Sequence, residues 1–183
     1  MAKNDKTNKL LWLDLEMSGL EVQKEVIIEA AAIVTDLNLS PLDEYHAVLK
    51  QPQEYIDNMD EWNKTHHGAS GLIEQIPFGK DPHLVEQELI EFVKKHFGDQ
   101  KAILAGNSIG QDKLFIDYHF KNLADSIHYR VLDVSSWKII MKDLYNVSFE
   151  KKETHRATDD IKESIGELKH YLSFITVEKH QST

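Results

Sequence analysis

At 183 residues the chain has the length of one domain and can bury a substantial core. Its 41% hydrophobic and 28% charged residues fit a soluble globular protein, while 21 Lys plus Arg against 31 Asp plus Glu give a formal charge of −10 and exclude an overall basic footprint for tracking a long polyanion. Zero cysteines exclude disulfides and thiolate chemistry, and no stretch reaches the ~20 apolar residues of a membrane span.

Residues 1–8 read as a flexible polar tail without the apolar core of a secretory leader, so a cytoplasmic location is expected. Leu10 to Glu16 is an apolar strand candidate ending in two carboxylates separated by one leucine. Alternate side chains of a strand share a face, so Trp12, Asp14 and Glu16 point one way and Leu11, Leu13 and Leu15 the other. Two like charges held side by side at the end of a buried strand need a cation, a shared proton or water; on an edge strand they would simply be solvated. Met17-Ser18-Gly19-Leu20 follows as a turn, Ile27 to Asp36 as an apolar strand covered on both faces, and Tyr45 to Lys50 as a third strand.

From Glu54 to Gly71 the pattern is helical and then irregular. Asp81 before Pro82 is a helix start, and Val85, Leu89, Phe92, Val93 and Phe97 continue it at spacings of three and four up to Gly98. Ala102 to Ala105 reads as a short strand entering Gly106-Asn107-Ser108-Ile109-Gly110, after which Leu114, Phe115 and Tyr118 mark a helix. Val131 to Val134 is a fifth strand candidate, Ser135 to Leu144 is helical, and Ile161, Ile165, Leu168, Leu172 and Ile175 form the apolar stripe of a final helix. Three successive strands followed by α/β alternation predict a mixed sheet flanked by helices in one domain over residues 9–176, with a C-terminal tail at 177–183.

Two further acids sit at helix starts. Asp112 follows the Gly-Asn-Ser-Ile-Gly loop, and Asp160 lies five residues after His155 in Thr154-His155-Arg156-Ala157-Thr158-Asp159-Asp160. Singly, each acid suits the positive end of a helix dipole. Together with Asp14 and Glu16 they supply the hard oxygen donors that Mg²⁺ or Mn²⁺ requires, and His155 supplies a base titrating near neutral pH. These are the parts of two-metal phosphodiester hydrolysis.

The order Asp-x-Glu, Asp, then His with Asp five residues on resembles the histidine-bearing branch of the DEDD exonuclease superfamily. Trp12 to Leu20, Gly106 to Asp112, His128 to Ser135 and Thr154 to Asp160 look like the oligoribonuclease family, and the likeness spans nearly the whole chain. The resemblance implies a ribonuclease H-like α/β fold with a five-stranded mixed sheet, and a homodimer that degrades very short RNA from its 3′ end. It assigns Asp14, Glu16, Asp112 and Asp160 to two metal ions and His155 to general base, and it leaves Asp159 outside the ligand set. It implies that Leu20 wedges against the substrate bases, Trp62 bounds the base pocket and His67 lies beside the nucleotide. It further implies that Ser108, Arg130, Ser135 and Ser136 cap a 5′ phosphate while Tyr129 reaches in from the partner subunit. Forked guanidinium donors and single hydroxyl donors suit such a phosphate. Family members often carry threonine at position 136 and an aromatic at 131, where this chain has Ser136 and Val131.

A substrate of roughly two to five nucleotides offers too few phosphates to reward a long basic groove, which agrees with the acidic balance. Two other readings share these residues. A proofreading or tRNA-trimming exonuclease would use the same metal site on longer strands, and a non-catalytic binding module would have no use for His155 beside four acids.

Overall fold

The computed structural model describes residues 8–150 and 156–176. The tails expected at 1–8 and 177–183, apart from residue 8, and His155 itself lie outside the described residues. The first three strands are β1 (Lys9–Met17), β2 (Ile27–Asp36) and β3 (Pro41–Val48), followed by two short helices, α1 (Gln53–Asn58) and α2 (Glu61–Ala69). Then come α3 (Pro82–Phe97), β4 (Ala102–Gly106), α4 (Gly110–His119), α5 (Lys121–Ala124), β5 (Ile127–Asp133), α6 (Val134–Tyr145) and α7 (Ala157–Leu172).

The strands form the expected five-stranded mixed sheet, in the order β3-β2-β1-β4-β5. β1 runs antiparallel to β2 and parallel to β4, so the strand carrying Asp14 and Glu16 is the central one. Its alternation sorts the two cores. Leu11, Leu13 and Leu15 pack with Val85, Leu89 and Val93 of α3 and Phe115 of α4. Leu10 and Trp12 face Met141 of α6 and Ile161, Ile165 and Leu168 of α7 on the other side. Trp12 is fully buried, and its indole N–H donates to Thr35 Oγ1 at 3.0 Å, so the one polar atom of that ring is satisfied.

β2 has the expected limits, and α3 begins as expected, with the Asp81 carboxylate accepting the His83 N–H at 2.9 Å. Four boundaries differ most from the sequence reading. β3 begins at Pro41 and β5 at Ile127, four residues ahead of each predicted start, because both are edge strands whose polar, exposed residues mask the alternation. Val134 is the first residue of α6 rather than the end of a strand, since Asp133 caps the helix through the Ser135 N–H at 2.9 Å. α7 ends at Leu172, and Ile175 lies beyond it, lining an apolar cavity against α6.

Close backbone approach fixes one glycine. The chain returning to β3 pairs Lys80 with Leu49, and a methyl group on Gly79 would lie 2.6 Å from both Leu49 C and Lys50 N. Gly79→Ala is expected to destabilise the fold by about 1–3 kcal/mol through this overpacking, lowering the thermal midpoint by several degrees. An unchanged melting curve would show that the 79–80 segment shifts without cost.

Candidate active site

β1 delivers Asp14 and Glu16 to one face at its carboxyl end, past the point where β4 stops. The last β1–β4 partners are Trp12 and Ala105, and the Leu15 N–H is satisfied instead by Asp112 Oδ1 at 2.9 Å. The first-turn acid of α4 thereby takes the place of a missing strand partner. Asp160 enters from the first turn of α7 on the opposite side.

Carboxylate oxygens of Asp14, Glu16 and Asp160 all lie within 4.8 Å of one another. Asp112, 6% exposed, stands beside this trio rather than within it, close enough that its charge acts on both Asp14 and Glu16. Burial and the mutual repulsion of the acids hold the Asp14 carboxyl well above the usual carboxylate range. Burial, then the charges of Asp160, Glu29 and Asp112, push Glu16 up to about 8, against a smaller lowering by Arg156. Burial pushes Asp112 up to about 7, although hydrogen bonds from the Leu15 N–H and its own N–H favour its charged form. Such a set of hard oxygen donors fits a divalent cation, whose charge would relieve the repulsion that otherwise calls for protons. Asp159, the neighbour of Asp160, is exposed.

The expected substrate residues divide by location. Leu20 is 74% exposed just beyond β1, and its carbonyl accepts a bond from Gln111 Nε2 at 2.9 Å, which ties the turn to the helix bearing Asp112. Trp62 is 58% exposed on α2 and stacks on His66 with ring centroids 3.9 Å apart. His67 is buried; since a carbonyl only accepts, its Nε2–H donates to Met17 O at 3.1 Å and anchors the end of β1.

Ser108 and Ser135 meet at the carboxyl ends of β4 and β5. Ser108 adopts a left-handed conformation, with φ at 51°, and its N–H lies 3.0 Å from Asp133 Oδ1 and 2.7 Å from Ser135 Oγ. The two hydroxyls are 3.0 Å apart. Asn107 extends this group to α7, donating to Ser164 Oγ at 2.8 Å and to Glu167 Oε2 at 3.0 Å. Ser164 in turn donates to the Asp160 carbonyl at 2.8 Å. Ser136 instead faces the apolar cavity of α6, with Trp137, Ile140 and Met141. Tyr129 and Arg130 project from the exposed edge strand β5, the guanidinium carbon 5.3 Å from the tyrosine ring centroid.

Several residues that shape this site had no site role in the sequence reading: Glu29, Asn107, Asp133 and Glu167. Signals existed for two of them. Glu29 is the lone acid inside an apolar strand, and Ser164 and Glu167 lie with Asp160 and Tyr171 at spacings of three and four beside the apolar stripe of α7.

Comparison with known proteins agrees with this geometry. The Exonuclease family model of the RNase T type matches residues 11–168. An oligoribonuclease from Ectopseudomonas mendocina is 44% identical over 173 residues, covering 90% of this chain and 94% of its own. One from Bordetella pertussis is 44% identical over 177 residues, covering 93% and 96%. Among solved structures, exonuclease I from Methylocaldum szegediense superposes with a TM-score of 0.70 at 14% identity, over 92% of this chain and 41% of that one. The zinc-bound E. coli exonuclease I–ssDNA complex gives 0.71 at 12% identity, again over 92% and 41%. The chain thus spans less than half of the exonuclease I chains, and the likeness to them establishes the ribonuclease H-like fold. With matching sequence along nearly its whole length, the chain belongs to the oligoribonuclease family of exonucleases.

Proposed function

We propose that this protein is a 3′-to-5′ exoribonuclease that hydrolyses very short RNA, dinucleotides above all, to nucleoside 5′-monophosphates. The observation that carries the reading is the trio Asp14, Glu16 and Asp160, with Asp112 beside it, on a chain related to oligoribonucleases along nearly its whole length. The four acids would hold two divalent ions, Mg²⁺ or Mn²⁺, which when bound supply the positive charge that acidifies the attacking water and steadies the leaving oxygen. His155 takes the water's proton. Leu20 and Trp62, both exposed, offer apolar walls for the bases, and His67 holds the end of β1 beneath them.

The paired hydroxyls of Ser108 and Ser135, with Arg130, form the cap for the 5′ phosphate, whereas Ser136, which the resemblance assigns to the same cap, faces the cavity of α6. A cap over that phosphate sets substrate length, and the net charge of −10 suits a substrate with few phosphates. Homodimerisation completes the site, with Tyr129 supplied across the interface. Support comes from the exposed apolar side chains Ile139, Ile140, Leu144 and Tyr145 on α6, a cavity of about 690 Å³ beside them, and the open edge of β5. No helix among the described residues is long and apolar enough to cross a membrane. A cytoplasmic location belongs to the same reading, and a chain with no cysteines is compatible with that reducing compartment.

A length series of 5′-labelled RNAs with and without Mg²⁺ or Mn²⁺ tests the reading. Dinucleotides should be cleaved faster than long single strands and only with metal; equal rates at all lengths would point to a trimming or proofreading exonuclease.

Asp112→Ala should abolish cleavage while circular dichroism reports a retained fold, at a stability loss of about 1–3 kcal/mol from the unpaired Leu15 N–H. His155→Ala should keep metal binding and lose turnover by a factor on the order of 10² or more. Full activity of either variant removes that residue from the mechanism.

The raised carboxyls also make stability depend on pH. An acid whose folded pKa exceeds its unfolded value binds extra protons in the folded state, so metal-free stability falls as pH climbs from the ordinary carboxylate range through about 8 for Glu16. Glu16→Gln should therefore raise the metal-free melting temperature more at about pH 8.5 than at about pH 5, and should weaken stabilisation by added Mg²⁺. An effect of equal size at both pH values would show that Glu16 is not held protonated by its surroundings.

A further inference from the structure

We propose that Glu29 is a positioning residue for the metal-binding acids: from within β2 it holds the first turn of α7 in register with the end of β1, so that Asp160 meets Asp14 and Glu16. The inference rests on reading those three acids as a metal site, as above.

Glu29 is directly paired with Glu16 in the β1–β2 register and is fully buried. An ionised group there counts against the cluster, since its charge raises the pKa of both Asp14 and Glu16. Burial opposes charge on Glu29, while hydrogen bonds from His46, Arg156 and the Ala157 N–H favour it and hold the pKa below the usual value. A fully buried carboxyl group paired with Glu16 calls for a task of its own.

Its contacts identify that task. Oε1 accepts from Arg156 Nε at 3.0 Å, Arg156 Nη2 at 2.6 Å and His46 Nε2 at 2.7 Å. Oε2 accepts from the Ala157 N–H at 3.1 Å. Both oxygens are thus engaged away from the acid trio, which does not include Glu29. α7 begins at Ala157 with Arg156 at its cap position and no capping side chain of its own. The carboxylate of a neighbouring strand supplies the missing acceptor, and its negative charge suits the helix N-terminus.

The link to the metal ligand is short. The Arg156 carbonyl accepts the Asp160 N–H at 3.0 Å, so the residue gripped by Glu29 is the one that anchors the Asp160 backbone. Arg156 also returns charge to the site, lowering the pKa of Glu16. In sequence it directly follows His155. One buried carboxylate therefore joins the strand pair carrying Asp14 and Glu16 to the helix carrying Asp160.

The test compares Mn²⁺ affinity, read by calorimetry on the purified protein, with melting temperature and dinucleotide kinetics for three variants. Glu29→Ala should weaken Mn²⁺ binding about tenfold or more, the usual size for a group supporting a metal ligand, and lower kcat while KM stays within about twofold. Glu29→Gln keeps an amide oxygen for the Ala157 N–H but turns its N–H₂ toward the Arg156 and His46 donors, so it should recover part of the Mn²⁺ affinity, whereas a role of charge alone would leave it at the Glu29→Ala value. Val93→Ala, a core truncation on the opposite face of the sheet, should lower the melting temperature with Mn²⁺ affinity unchanged. Mn²⁺ affinity of Glu29→Ala within about twofold of the unaltered protein overturns the proposal, as does a loss that merely follows melting temperature across all three variants. If the unaltered protein binds no Mn²⁺, the reading of the acids as a metal site itself fails.

Discussion

Repulsion among carboxylates at the end of the central strand is the constraint on which the rest of the structure depends. Three of them lie within 4.8 Å in a partly buried setting, with a fourth alongside. Left to itself the arrangement would relax by protonation or by moving apart; burial first and this repulsion second raise the pKa values of Asp14 and Glu16, and burial raises that of Asp112. The folding energy that opposes it comes from both faces of the sheet. α3 and α4 press on the odd-numbered leucines of β1, and α6 and α7 press on Leu10 and Trp12. Paired with β2 on one side and held through the Leu15 N–H by Asp112 on the other, the carboxyl end of β1 cannot swing away from the helices that carry Asp112 and Asp160.

Several polar groups turn that packing into a defined geometry. Asp112 satisfies the Leu15 N–H where β4 has run out, and Glu29 satisfies the Ala157 N–H where α7 lacks a cap. Each substitutes a carboxylate for an absent backbone partner, which removes the cost of an orphaned donor and fixes an acid or a helix end at the same time. Asn107 joins β4 to Ser164 and Glu167 of α7, and the Tyr171 hydroxyl donates to the other Glu167 oxygen at 2.8 Å. The Ser108–Ser135 pair therefore shares a hydrogen-bonded frame with the helix of Asp160, through Ser135 Oγ, which donates to Asn107 Oδ1 at 3.4 Å.

The central strands and long helices were legible because burial imposes a period. β2 reads as an unbroken apolar run since helices or strands cover all of it, and α3 carries both its stripe and its Asp-Pro start. Where one side meets solvent the signal weakens. Pro41 to Glu44 and Ile127 to Arg130 are strands by virtue of pairing with β2 and β4, although their composition resembles loop. Glu29 shows the limit most clearly, because a single acid inside an apolar run gives no hint of the helix it caps 128 residues later. His67 shows it too: no local pattern reveals that its ring is buried against the Met17 carbonyl.

The chain's own order of residues determined the chemistry: two acids alternating on an apolar strand, a third after a glycine-bounded loop, and a histidine five residues before a fourth. Those choices are local, and strand and helix periodicity alone puts each acid at an element's end. Only the tertiary structure decided which acids meet. Asp14, Glu16 and Asp160 converge because α7 crosses the face of β1 and β2, while Asp112 is held to one side by its bond to Leu15. The reason is physical: a carboxylate's partners are set by distances between elements far apart in the chain, and no local period encodes those distances.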